Sequence, residues 1–211
     1  MSWFKRKTYP DFYNAYAETF KQQSKVFETT RFVVFDTETT GLQPETDKVL
    51  SIGCVVVTNT TIDVADSFEC YLNQIQFNAD TVQIHGLLKG GKLTKIEERD
   101  AIIQFLDYIK NAVLVAHHAA FDIAMINQAL KRLDLPKLKN KVVDTGQLYK
   151  KTKYVKDQKH YSLDQLCNQF NITMHDRHTA SGDAYLTAIL FLKCTALLKK
   201  KKNRALRLRD F

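Results

Sequence analysis

The chain has 211 residues, 45% of them hydrophobic and 26% charged, with a formal net charge of +8. That length and balance suit a globular protein with a sizeable core, and they exclude collagen-like, low-complexity and disulfide-scaffold chains. Four cysteines, Cys54, Cys70, Cys167 and Cys194, show no C-x-x-C spacing. They read as free thiols in a reducing compartment, not as zinc ligands or a disulfide frame. The opening MSWFKRKTYPDFYNAY lacks the uninterrupted apolar stretch of a signal peptide. No run reaches the roughly 18 apolar residues of a membrane span, so the expected location is the cytoplasm, with no membrane partner. The charge is uneven. Eight Lys/Arg against one Asp lie between Lys193 and Phe211, and eight Lys against two Asp between Lys137 and His160. The remainder is acidic on balance. The basic stretches permit nucleic acid as a partner, while a terminal lysine run reads first as a solvated tail.

In chain order, residues 11 to about 27 carry enough helix formers for a helix ahead of the first strand. Three strand-like runs follow, at 32–37, 49–57 and 62–71. The second is the β-branched VLSIGCVVV, and short polar connections predict an antiparallel meander. In EERDAIIQFLDYIKN, Ile102, Ile103, Leu106 and Ile109 recur at a helical period. Residues 112–116 form a short buried strand and 121–133 a helix stopped near Pro136. Residues 141–143 form another strand, followed by a short helix. A further helix covers 162–170, and a long apolar one runs from 184 to about 200. The expected fold is α/β, with a mixed sheet of three antiparallel strands and then parallel strands, flanked by helices. No internal repeat divides the chain, and seven glycines with three prolines leave no linker to split it.

The first strand, in RFVVFDTETTGL, ends in Asp36 and Glu38. Side chains alternate along a strand, so both carboxylates point to one face, their Cα atoms roughly 6.5–7 Å apart. At an effective dielectric of about 20 they repel by roughly 2.5 kcal/mol, which something must offset. Two more acids head apolar helical stripes. From Asp122 the inward face continues through Met125, Ile126, Ala129 and Leu133, and from Asp183 through Leu186, Thr187, Leu190 and Cys194. A helix N-terminus accommodates negative charge, by roughly 0.3–1 kcal/mol, but does not explain an acid facing the core. Taken singly, Asp122 and Asp183 could be first-turn acids turned to solvent and Asp36 and Glu38 the end of a strand running into water, while pairing with Arg31, Lys48 or Arg177 could neutralise one or two of the four but not all. Clustered carboxylates suit hard cations, and Mg²⁺ or Mn²⁺ binds a few of them together with substrate oxygens. Two ions about 3.5–4 Å apart would clamp the attacking and leaving oxygens of a phosphodiester. His178, five residues before Asp183 in a loop, is a candidate general base, because its ordinary pKa of about 6.5 lets neutral imidazole accept a proton. His117 and His118 lie at a strand end beside Phe121 and Asp122.

FDTETTG (35–41), HHAAFD (117–122) and HTASGD (178–183) together resemble the three motifs of the DEDD exonuclease superfamily, histidine branch. This is the family of the proofreading epsilon subunit of bacterial DNA polymerase III. The resemblance runs from about Arg31 to Leu198 and includes IHGL (84–87) and YSLDQLCNQFNI (161–172). It implies a ribonuclease H-like fold and removal of nucleoside monophosphates from DNA 3′ ends, single-stranded or frayed, in proofreading or repair. It also implies two Mg²⁺ or Mn²⁺ ions per site. Asp36 would bridge them, Glu38 and Asp183 would complete the tighter site, and Asp122 would hold the second ion through water. His178 would activate the attacking water. Thr39, Leu42, Asp80, His85 and Phe121 are the implied substrate-facing positions. Relatives more often carry Glu where Asp80 stands, and many carry Asn in place of His118. Residues 31–198 would form the exonuclease domain, 1–30 an N-terminal helical extension and 199–211 a basic tail. The extension and tail are the expected contact surfaces for a DNA polymerase subunit. RNA or short oligonucleotides are the alternative substrate, and a catalytically silent nucleic-acid-binding module is the alternative of another class.

Overall fold

The computed structural model describes residues 8–22, 26–75, 93–155 and 160–211. Its six-stranded sheet is built around β1 (Arg31–Thr39), which pairs antiparallel with β2 (Val49–Thr58) and parallel with β5 (Val113–Ala116). Outward from β2 lie β3 (Thr61–Leu72), antiparallel, and the two-residue β4 (Lys95–Ile96). On the other side β6 (Val142–Asp144) pairs parallel with β5, giving the order β4-β3-β2-β1-β5-β6. The meander followed by parallel strands is the arrangement expected from the sequence.

Alternation along β1 divides the interior in two. Val33 and Phe35 enter one core with α1 (Asp11–Glu18), α2 (Glu98–Ile109) and α3 (Ala120–Arg132). Phe32 and Val34 enter the other with α4 (Thr145–Lys150), α5 (Leu163–Gln169) and α6 (Ala180–Lys202). Asp36 and Glu38 have the parity of Phe32 and Val34, so they face α6. A register shift between Glu38 and Thr39 interrupts the β1–β2 ladder at this end. Such bulges re-aim side chains where strands leave a sheet.

α1 stops at Glu18, short of the expected end near residue 27, and passes into a 3₁₀ turn (Thr19–Lys21). The side-chain amide of Asn111 donates to the carbonyls of Thr19 and Gln22 at 2.8 and 2.5 Å, satisfying the terminal acceptors and ending the helix. Tyr13 and Tyr16 are buried, so α1 belongs to a helical layer; the Tyr16 hydroxyl donates to Asn140 Oδ1 at 2.6 Å. α6 is long and apolar enough to cross a membrane, but residues such as Leu186, Leu190, Phe191 and Cys194 bury its inner face against the sheet. It is a core helix.

The basic tail departs from the solvated reading. Beyond Asn203, which leaves α6 in a left-handed conformation, the chain turns back. Leu206 is buried, and the Phe211 ring lies 5.3 Å from Phe27, stacked, and 5.8 Å from both Phe32 and Phe191. Arg204 holds the buried Asp210 through contacts of 2.7 and 2.9 Å. The alternation in LRLRDF is the cause: apolar side chains turn inward while the arginines remain at the surface or neutralise the one acid.

Candidate active site

Ligand oxygens of Asp36, Glu38 and Asp183 lie within 4.8 Å of one another. Two ionised carboxylates at that separation repel by about 3.5 kcal/mol at an effective dielectric near 20, so three cannot stay charged without a counterion. The protonation of Asp36 and Glu38 reflects this. Burial, then the charges of Asp122, Asp183 and Glu38, push Asp36 well above the carboxylate range. Burial, then the charges of Asp183 and Asp122, raise Glu38 to about 7. Asp122, raised to about 7 chiefly by burial, accepts hydrogen bonds from the Thr37 amide at 3.1 Å and the Thr37 hydroxyl at 2.7 Å. These bonds favour its charged form and tie α3 to β1.

Among the described residues, one cation meets this group. Arg177 Nη1 forms an ion pair with Asp183 Oδ2, while Nε donates to Asp164 Oδ1 of α5 at 2.7 Å. Of the cations considered from the sequence, Arg177 therefore does offset part of the charge, whereas Arg31 pairs instead with Asp66. One guanidinium cannot balance four acids. Asp183 Oδ1 is buried without a hydrogen-bond partner among the described residues. An orphaned buried carboxylate oxygen beside two further carboxylates is a donor set that fits a hard divalent cation.

The approach of α6 to β1 depends on two glycines. Gly53 stands opposite Asp36 in the ladder, and a Cβ there would overlap the backbone of Ala180 and Ser181. The first turn of α6 thus lies directly on the sheet, which brings Asp183 to Asp36. Gly182 lets the preceding loop fold onto that turn, since a Cβ would overlap the Asp176 carbonyl oxygen. Thr179 caps the helix, its hydroxyl accepting from the Gly182 amide at 3.1 Å and donating to the Asp176 carbonyl at 2.7 Å. In the loop Asp176 and His178 both have positive φ, 52° and 63°. His178 is exposed, next to Arg177 and the cap. Left-handed backbone at a non-glycine residue costs of order 1–3 kcal/mol and persists where surrounding structure enforces it.

His117 sits at the end of β5 as a neutral imidazole. Burial, then His118, lower it to about 4. Its Nε2 donates to the Tyr161 carbonyl at 2.9 Å, so Nδ1 accepts from the Thr145 hydroxyl at 2.8 Å. His118, with φ 59°, stacks on it with ring centroids 4.4 Å apart. His117 is thereby a structural link between β5, α4 and the segment before α5.

The structure thus brings Asp36, Glu38 and Asp183 into one cluster and places Asp122 in their field. Of the substrate-facing positions, Leu42 projects 82% exposed just beyond β1, and Thr39 is buried, its hydroxyl donating to the Gly41 carbonyl at 2.7 Å. Phe121 is half-buried against the first core. Asp80 and His85 lie outside the described residues. Thr37, Gly53 and the Arg177–Asp164 pair escaped the sequence reading. Strand alternation could have pointed Thr37 toward α3, but no local pattern marks the other two.

The exonuclease family model matches residues 33–191. The PolC-type DNA polymerase III of Caldanaerobacter subterraneus is 37% identical over 174 residues, which is 80% of this chain and 12% of that protein. The Bacillus subtilis PolC-type enzyme is 31% identical over 188 residues, 88% of this chain and 13% of that protein. The chain therefore spans only about an eighth of the length of these relatives. Among solved structures, Escherichia coli exonuclease I in complex with a dT13 oligonucleotide gives a TM-score of 0.69 at 12% identity, covering 83% of this chain and 43% of that one. Exonuclease X in complex with 5′-overhanging duplex DNA gives 0.62 at 22% identity, covering 78% and 91%. At these identities the likeness is one of fold, the ribonuclease H-like mixed sheet.

Proposed function

Because the chain belongs to the DEDD-type 3′–5′ exonuclease family, we propose that it hydrolyses nucleoside monophosphates from the 3′ ends of DNA, as a histidine-branch, epsilon-like proofreading or repair activity in the cytoplasm. The observation that carries this is the meeting of Asp36, Glu38 and Asp183 within 4.8 Å, with one buried Asp183 oxygen left unpartnered. DNA is favoured as substrate because the relatives are DNA polymerases and two fold neighbours are complexes with DNA.

Asp36, Glu38 and Asp183, with Asp122 beside them, would hold two divalent ions. Bound Mg²⁺ or Mn²⁺ would supply Lewis-acid stabilisation of charge developing on the phosphodiester oxygens. The chain itself does the rest. Thr37 fixes the Asp122 carboxylate, Gly53 and the Thr179 cap fix Asp183, and Arg177 grips the far oxygen of Asp183. His178, exposed on its loop, takes the proton of the attacking water. The exposed Leu42 side chain meets the terminal base, with the backbone around Thr39 beneath it. Because the carboxylates are recessed, the terminal nucleotide must be unpaired to reach them, which favours single-stranded or frayed ends. A partner polymerase subunit fits a domain whose relatives carry it within a much longer polymerase.

The test is digestion of 5′-labelled single-stranded DNA and RNA of equal sequence with Mg²⁺ or Mn²⁺, then with EDTA. The expected result is a ladder shortening from the 3′ end of DNA, with mononucleotide products, arrested by EDTA. Preferential shortening of RNA would make the enzyme an exoribonuclease, and no shortening of either would make it a binding module.

A further inference from the structure

At the far end of α6 from the carboxylates lies a cavity of about 870 Å³, within the range of sites that enclose a ligand or a partner's side chains. Its lining follows one stripe of the helix: Leu192, Ala196, Lys199 and Asn203 recur at steps of three and four residues. The stripe spans roughly 16 Å at 1.5 Å per residue. The opposite wall comes from three separate pieces of chain: Phe27, the β2–β3 turn at Asn59, and Leu206 of the folded-back tail. The floor is apolar. Its rim is cationic, with Lys199 and Lys200 exposed and Lys193 half-buried, against the single acid Glu28. Arg204 is occupied by Asp210, but among the described residues Lys193, Lys199 and Lys200 make no ion pair. From Asp183 to Ala196 the helix rises roughly 20 Å, so an occupant would leave the acid cluster clear.

We propose that this groove docks an amphipathic helix of a partner protein that carries an apolar stripe and acidic flanks. The apolar floor disfavours a nucleic-acid backbone, which needs cations and hydrogen-bond donors along its whole path. The charged rim requires acidic flanks, and the groove's length accommodates the i, i+3, i+4, i+7 anchors of a short helix. The proposal is independent of the chemistry at the carboxylates.

The test uses a panel of fluorescein-labelled peptides about 14 residues long, with Leu or Phe at those four anchor positions and Glu or Asp at the flanks, read by anisotropy. Controls carry Lys flanks, carry Ser at the anchor positions, or replace the peptide by a dT oligonucleotide of similar length. The expected result is saturable binding of acidic amphipathic members, roughly tenfold or more tighter than every control. Ala196→Trp, which fills the groove from an exposed position, and the double variant Lys199→Glu/Lys200→Glu are each expected to weaken binding by roughly tenfold or more. Ala196→Trp should digest DNA at the wild-type rate. The proposal is overturned if no member of the panel saturates or if Lys-flanked or Ser-substituted peptides bind equally. It is also overturned if neither variant changes affinity, or if the oligonucleotide binds as tightly and loses affinity with Ala196→Trp.

Discussion

Asp36 carries a heavy electrostatic burden, a carboxyl held among three other acids and pushed well above its ordinary range by burial and by those neighbours. Replacing it with asparagine keeps the shape and removes the charge. Asp36→Asn should therefore melt higher than the wild type in EDTA at pH 8, yet show neither cleavage nor any rise in Tm with Mn²⁺. A Tm equal to or below the wild type in EDTA would contradict the burden assigned to this group. Glu38 gives the pH dependence its sign. With the folded form at about 7 against an ordinary 4.5, the folded chain holds the extra proton between those values. Its contribution to metal-free stability thus declines as pH rises from about 4.5 to 7 and then levels off. Divalent ions bind the ionised form, so the Tm gained with Mn²⁺ should grow across that window in scans from pH 5 to 8; a constant gain would oppose this. His178→Ala should slow cleavage by about 10²–10⁴-fold at neutral pH in single-turnover digestion. An unchanged rate would remove His178 from proton transfer. The four acids were legible from local spacing, Asp36 and Glu38 on a strand face and Asp122 and Asp183 at helix heads, because alternation and helical period fix direction without tertiary information, whereas no period fixes the loop residue His178.

At the scale of elements, the site exists because the first turn of α6 rests on β2 at Gly53. Gly53→Ala would force the backbone of Ala180 and Ser181 away and carry Asp183 with it. A displacement near 1 Å costs on the order of 10²-fold in rate, and overpacking costs about 1–3 kcal/mol in stability. Digestion rate and the urea midpoint should both fall, and a variant with wild-type values for both would show that α6 is not seated by this contact. Apart from the two-residue β4, the order and type of the described strands and helices followed from their periodicity. The seating of α6 did not, because nothing near Gly53 in sequence announces a helix that arrives from residue 180. The same holds for the Arg177–Asp164 pair, which joins a loop to a helix placed by the tertiary fold.

Across the whole molecule, the C-terminal tail closes over the second core, against Phe27. Phe211 stacks on Phe27 and touches Phe32 of the central strand, so the tail completes that core beyond the family's matched span. Phe211→Ala should cost about 2 kcal/mol, less than a fully buried Phe because the ring is half-exposed. For a chain of this length that corresponds to a Tm lower by about 4–8 °C. A calorimetric scan unchanged from the wild type would return the tail to the solvated state that its lysines suggest. The charge of this segment hides its packing, because the seven Lys/Arg of residues 199–211 conceal the inward-turned Leu206, Leu208 and Phe211. The most direct test of the account is anomalous diffraction from crystals soaked in Mn²⁺. It should reveal manganese about 2.1 Å from carboxylate oxygens of Asp36, Glu38 and Asp183, the latter through the oxygen that Arg177 leaves free. Manganese bound only at other acids, or absent from that pocket, would contradict it.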